Sequence, residues 1–224
     1  LFCTQRRRKA KTFQFFQKMM YVGDVFKNDT TRVSFENCFY NCYELTTISQ
    51  ELFDNCVAVT SFEYCFGSCR KLISIPQGLF KSCSAAVSFY YCFYECFAVT
   101  TIPERLFENC VAAISFYGCF RFCNKLTAIP QNLFKDCSNA TTFDQCFSEC
   151  NQLTFIPQDL FYNCTKTVDF TSCFSYCSQL TTIPQWLFKN CFSVTDFNSC
   201  FGNCPKLTCI PEELFKSCTK ASNF

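Results

Sequence analysis

The sequence predicts a curved α/β solenoid of about seven coils, each 27 residues long. Three observations predict it: a Cys-Phe pair returns every 27 residues, a Leu-Phe pair returns in the same register, and proline holds one further position. A single unit of this size buries too little apolar surface to fold alone, so the coils are expected to stack on one another. The Cys-Phe pairs begin at Cys38, Cys65, Cys92, Cys119, Cys146, Cys173 and Cys200.

The repeating unit reads F-x-x-C-F-x-x-C-x-x-L-T-x-I-P-x-x-L-F-x-x-C-x-x-V-T-x. Residues 62–69 and 76–83 show the shared pattern of its two halves, with apolar or Cys residues at i, i+3, i+4 and i+7. This spacing predicts a short helix of about two turns in each half. The β-branched runs that follow, such as residues 126–129, predict short strands. An all-α solenoid with two short helices per coil is the alternative.

The chain divides into a non-repeat N-terminal segment, residues 1–21, and a solenoid repeat domain, residues 22–224. The first segment is basic, which is typical either of a solvated terminus or of a nucleic-acid or localisation patch. We expect the solenoid to be truncated at its C-terminal end, because the sequence stops one residue into another half-unit. The basic cluster consists of Arg6, Arg7, Arg8, Lys9 and Lys11.

The composition argues against catalysis. The chain has no His, which removes imidazole bases and the Ser-His and Cys-His nucleophile pairs. Only five Gly are present, and the sequence shows no phosphate-binding loop and no clustered carboxylates. We therefore expect no enzyme activity, no catalytic residue, no cofactor and no metal. A net charge of +2 gives no reason to expect nucleic acid, and no apolar run is long enough to span a membrane.

Cysteine is unusually abundant, with 23 residues and three in each coil. These cysteines occupy the apolar positions of the unit, where Cys behaves as a small buried hydrophobe, and buried free thiols are the first expectation. Like positions on stacked helices would lie beyond the roughly 7 Å reach of a disulfide. Some disulfides or a metal site remain as alternatives.

Candidate binding residues lie at the variable positions, because stacking constrains the others. Seven of the ten tyrosines fall between residues 40 and 117, all at variable positions, and we expect most of them to face outward as an aromatic strip. The alternative is that they only flank and shield the core. The sole Trp is expected to be an exposed anchor. The candidate residues are Tyr40, Tyr64, Tyr90, Tyr91, Tyr94, Tyr117 and Trp186.

One stretch of the unit, V-T-x-F-x-x-C-F-x-x-C-x-x-L-T-x-I, resembles the leucine-rich repeats of BspA-like surface proteins. Those repeats carry a similar V-T-x-M-x-x-M-F-x-x-C-x-x-L-T-x-L run, and residues 59–75, 140–156 and 194–210 match it here. The P-x-x-L-F-x-x-C half departs from that pattern. The resemblance implies a leucine-rich-repeat-like solenoid, an extracellular or cell-surface location, a role in adhesion and protein contact, and no catalytic residues.

The predicted function is therefore a non-catalytic binding or adhesion module of a surface-displayed or secreted repeat protein. Its variable positions would meet a protein or glycan partner. The alternative is a set of structural spacer repeats that supports a functional domain elsewhere.

Overall fold

A computed structural model describes residues 17–224, and its regular elements are two short parallel strands. Strand β1 is Tyr21–Val22 and strand β2 is Thr47–Ile48. Isolated parallel bridges join the later coils, and the longest series links Ser34, Ser61, Ser88, Ser115, Thr142, Asp169, Asp196 and Asn223. Each step is 27 residues, which confirms the predicted repeat solenoid. Residues 1–16, with the basic cluster, lie outside the described residues.

We number the coils from residue 35, so that coil 1 is residues 35–61 and coil 7 is residues 197–223. The strands are shorter than predicted, since most coils contribute single bridges. Between residues 19 and 224 no helix forms, so the predicted short helices, and with them the all-α alternative, are wrong. No helix among the described residues has the length and apolar character needed to cross a bilayer.

Overlapping β-turns replace the first predicted helix. In coil 1 the amides of Cys38 and Cys42 donate to the carbonyls three residues earlier, at 3.0 and 3.2 Å. Every second amide instead donates to the next coil: the N–H of Phe39 donates to the carbonyl of Cys65 in coil 2, at 2.8 Å. Because every second amide is used between coils, the i to i−4 bonds of an α-helix cannot form. Later coils repeat this arrangement, which we call the tandem turns.

The second half of the unit folds into a similar series of turns. In coil 4 the N–H of Leu133 donates to the carbonyl of Pro130 at 3.3 Å, and that of Cys137 to Phe134 at 3.0 Å. Proline therefore opens a β-turn here and not the first turn of a helix. Its missing N–H costs nothing at this position, because the opening residue of a turn supplies only its carbonyl.

Short polar side chains complete the backbone hydrogen bonding before each tandem-turn segment. The hydroxyl of Ser34 accepts from the N–H of Glu36 at 3.1 Å, and the carboxylate of Asp169 accepts from the N–H of Thr171 at 2.8 Å. The acceptor, two residues before the amide, is needed because this N–H has no backbone carbonyl partner among the described residues. The same position is therefore Ser, Thr, Asp or Asn in every coil.

The core consists of three columns of Phe, where a column is one unit position followed through successive coils. Coil 1 supplies Phe35, Phe39 and Phe53, all at most 3% exposed. Ring centroids in the Phe39 column are 5.2–5.6 Å apart, against 5.8–6.0 Å in the Phe53 column. Packed helices need about 8–10 Å, so this spacing excludes them. The closer spacing puts the tandem turns on the inner side of the curve.

The cysteines line this core. Apart from Cys38, the described cysteines are free thiols, and all of those except Cys209 are buried. The thiol of Cys96 donates to the carbonyl of Phe66 in the preceding coil at 3.3 Å, and Cys123 donates to Phe93 at 3.4 Å. The distance between stacked helices cannot be what keeps these thiols from forming disulfides, because residues 19–224 contain no helix. Cys instead combines an apolar surface with a donor for the second lone pair of a buried carbonyl.

Candidate binding face

Four positions per coil of the tandem turns lie outside the core cluster, and together they form what we call the tandem-turn face. In coil 1 these positions are residues 36, 37, 40 and 41, and each recurs every 27 residues. The second and fourth positions have positive φ, for example 53° at Asn37 and 63° at Asn41. Each of these residues is the third residue of a β-turn, and in this conformation the side chains between the Phe and Cys positions lie on the outside of the turns. All six candidate tyrosines lie on this face.

Tyr64 is at the centre of the tyrosine cluster. Its ring centroid lies 5.5 Å from Tyr40, 5.5 Å from Tyr90 and 5.1 Å from Tyr91. Tyr94 is 6.5 Å away. Since centroid distances of 4.5–7 Å are those of favourable aromatic pairs, the structure brings these predicted residues into one contact group.

Tyr117 extends the cluster into coil 4. Its ring stacks on Tyr90 at 4.9 Å with an interplanar angle of 15°, and it meets Tyr91 edge-on at 5.2 Å. Most of the tyrosines are half-buried, while Tyr91 is only 8% exposed. The expectation of an outward strip therefore holds in position, although Tyr91 lies beneath the others and not on the surface.

Two glycines make room for the rings. A Cβ on Gly118 would lie 2.3 Å from Cε1 of Tyr91, and a Cβ on Gly67 would lie 2.9 Å from Cδ2 of Tyr40. Each tyrosine thus lies over the glycine of the next coil. Gly118 also has φ of +55°, which a glycine adopts at no steric cost.

Polar groups border the cluster on the side of coils 4 and 5. The guanidinium of Arg121 donates to the phenol oxygen of Tyr91 at 3.3 Å and to the Oε1 of Gln145. The amide of Gln145 donates to the phenol oxygen of Tyr117 at 2.9 Å. The Oδ1 atom of Asp144 is buried without a hydrogen-bond partner among the described residues. Desolvation, and then the nearby Asp169 carboxylate, raise the pKa of Asp144 to about 6.

Burial favours the neutral phenol form of three tyrosines in the cluster, Tyr64, Tyr94 and Tyr117. Desolvation raises the pKa of Tyr117 to about 12 and also raises the pKa of Tyr64 and of Tyr94. The face therefore offers aromatic surface and phenol donors beside the carboxyl group of Asp144. Such a surface is suited to binding.

Sequence reasoning missed one feature beside this face. The guanidinium of Arg70 lies between two rings, 5.4 Å from the centroid of Tyr43 and 5.3 Å from that of Phe97, and donates to Glu95 at 2.9 Å. The three stacked residues are 27 apart, so alignment of the units by column would have revealed the Tyr-Arg-Phe series.

Trp186 lies apart from the tyrosine cluster. It belongs to the second half of coil 6, on the outer side of the curve, and is 39% exposed. Its ring contacts the ammonium group of Lys189, at 5.9 Å. The structure therefore divides the predicted binding residues between two surfaces, and among them only the tyrosines contact one another.

Comparisons with known proteins show the fold alone. No known family model and no curated protein matches the chain. A chain of the glycosylated Drosophila Toll–Spatzle complex is 16% identical over 84% of this chain, with a TM-score of 0.50. A leucine-rich repeat protein from Bacteroides ovatus is 19% identical over 91% of this chain and 69% of its own, with a TM-score of 0.28.

By fold, then, the chain is a repeat solenoid of the leucine-rich-repeat kind. It spans 24% of the length of the Toll–Spatzle chain. Each of its coils contains two series of turns and three Phe positions.

Proposed function

We propose that this chain is a non-catalytic binding or adhesion module whose tandem-turn face holds a protein or glycan partner. The supporting observation is the tyrosine cluster, which joins six side chains from four coils on the inner side of the curve. Core packing alone does not require it, because the same positions carry Thr171, Ser172 and Ser175 in coil 6. Tyrosines supply large contact area with few rotatable bonds, which favours their use at interfaces.

The proposal also covers the location of the protein and the family that it resembles. The resemblance to BspA-like repeats and the leucine-rich-repeat fold both favour a surface-displayed or secreted protein. Trp186 is proposed as a separate, minor anchor on the outer side.

A screen for ligands tests this function. The chain is presented to a glycan array and to a displayed random-peptide library, and ligands are then tested on the double variant Tyr90→Thr, Tyr117→Asn. The substitutes occur at the same position as Thr171 and Asn198, so the variant is expected to fold. We expect ligands that lose at least about tenfold in affinity for the variant, since central aromatic anchors commonly contribute more than about 1.4 kcal/mol. No ligand in either screen, or equal binding to the variant, would contradict the proposal.

The second candidate is a structural spacer that supports a domain elsewhere. The observation in its favour is the polar, uncharged tandem-turn face of coils 6 and 7, which has no aromatic cluster. Unchanged binding by an intact protein that carries the tyrosine substitutions would support the spacer and count against the binding module.

A further inference from the structure

The tandem-turn face has a charge opposite to that of the whole chain. Across all seven coils its four outward positions hold five carboxylates and one cation, whereas the chain as a whole has a net charge of +2. The cation, Arg121, is already engaged by Tyr91 and Gln145 and lies 4.9 Å from the ring of Phe122. The five carboxylates are those of Glu36, Glu63, Glu95, Asp144 and Glu149.

These carboxylates surround the tyrosine cluster and are only partly satisfied within the chain. Glu95 accepts from Ser68 at 3.0 Å and from Arg70 at 2.9 Å, and Glu36 accepts from the Asn37 amide. No described residue donates a hydrogen bond to the carboxylate of Glu63 or of Glu149. The unmet acceptors therefore lie beside the central ring of the aromatic cluster, in coil 2, and just beyond its last ring, in coil 5.

Aromatic rings bordered by carboxylates form a surface with two attractions for a cation. A Lys or Arg side chain is drawn to the face of a tyrosine ring, and its charged end is drawn to a nearby carboxylate. Anionic partners, such as acidic peptides, sulfated glycans and nucleic acids, meet repulsion at the same surface. A protein segment supplies both apolar contact and several cations.

From this complementarity we infer that the partner of the tandem-turn face is a basic protein segment, whose Lys and Arg side chains lie against the tyrosines and pair with the flanking carboxylates. This inference rests on the proposed function, because it names the class of partner for the same face. Glu63 and Glu149 are the carboxylates left for the partner's cations.

Fluorescence anisotropy with two labelled probes tests the inference: an alternating Arg-Ala peptide and a matched Glu-Ala peptide. The variants are Glu63→Gln with Glu149→Gln on the face, and Glu104→Gln with Glu212→Gln as a control with the same change in net charge. Glu104 and Glu212 are exposed in the second halves of their coils.

We expect the Arg-Ala peptide to bind and the Glu-Ala peptide not to bind. The face variant should lose about three- to tenfold in affinity, as for the loss of two exposed ion pairs, while the control variant binds as the parent chain does. Equal loss in both variants, or binding of the Glu-Ala peptide, overturns the inference. A ligand from the screens that depends on Tyr90 and Tyr117 but not on Glu63 and Glu149 would overturn it and leave the proposed function standing.

Discussion

At the scale of single residues, backbone conformation decides which side chains the tandem-turn face accepts. The second outward position has positive φ in every coil, and Tyr64 and Tyr91 both adopt it at 50°. Such a conformation is unfavourable for a bulky residue. The turn amides offset part of that cost, since the N–H of Tyr64 donates to the carbonyl of Tyr90 at 2.9 Å. Hydrogen bonds between coils thus hold the backbone of the face, and the second position carries Asn, Tyr, Gly, Gln or Ser in the different coils.

Gly118→Ala tests the packing of the tyrosine cluster. The new Cβ would meet the Tyr91 ring at 2.3 Å in a backbone conformation with φ of +55°, so the ring must move. We expect a loss of about 1–3 kcal/mol in the free energy of unfolding, measured by urea titration. Gly23→Ala is the control, because its Cβ would make ordinary contact at 3.5 Å. Equal effects of the two substitutions would contradict the packing described for Tyr91.

Asp144→Asn tests the buried carboxylate. Because desolvation raises the pKa of Asp144 to about 6, the folded chain binds this proton more tightly than the unfolded chain does. The protonated carboxyl of Asp144 therefore contributes fully to the free energy of unfolding below the unfolded pKa of about 4. This contribution is lost as the pH rises through about 6.

We expect Asp144→Asn to unfold at a higher urea concentration than the parent chain at about pH 7. The gain should be about 1 kcal/mol at most, since the side chain is partly exposed and solvent screens it. The advantage should shrink as the pH falls towards about 4. An advantage that does not change with pH would show that Asp144 is not desolvated in this way.

At the scale of elements, the sequence predicts the period and the core but not the kind of element. Apolar residues at i, i+3, i+4 and i+7 are common to a short helix and to overlapping β-turns, since both return to the same side after three or four residues. The two structures differ in the carbonyl that accepts a hydrogen bond from every second backbone N–H. Here that carbonyl belongs to the next coil, as in the bond from the N–H of Phe39 to the carbonyl of Cys65. No pattern within one unit reveals a partner in another coil.

Thiol reactivity tests the columns of cysteines as elements of the core. Burial raises the pKa of Cys65 and of Cys92 well above the usual range, and reagents cannot reach them in the folded state. Cys209 is exposed. With a thiol-reactive chromogenic reagent, we expect Cys209→Ser to remove one rapidly reacting thiol, while Cys123→Ser leaves the rapid phase unchanged.

Denaturant should then bring the remaining buried thiols into reaction together, because the stacked coils expose them as they unfold. If many thiols of the folded parent chain reacted rapidly, the core described for the Cys columns would be wrong.

At the scale of the whole molecule, the two sides of the solenoid carry different side chains. Closer stacking in the Phe39 column than in the Phe53 column makes the tandem turns the inner side. The candidate tyrosines were predictable from their variable positions, but their convergence depends on stacking between coils. The separation of Trp186 from the tyrosines was not predictable, since its variable position shows only that it lies outside the core.

Hydroxyl-radical footprinting of the chain with a ligand from the peptide or glycan screen tests the central claim most directly. Tyr64, Tyr90 and Tyr117 report on the tandem-turn face, and the exposed rings of Phe155, Tyr162 and Phe192 report on surfaces outside it. We expect bound ligand to reduce oxidation of the three tyrosines on the face and to leave the three outer rings unchanged. Protection of the outer rings with undiminished oxidation of Tyr64, Tyr90 and Tyr117 would contradict the assignment of the binding face.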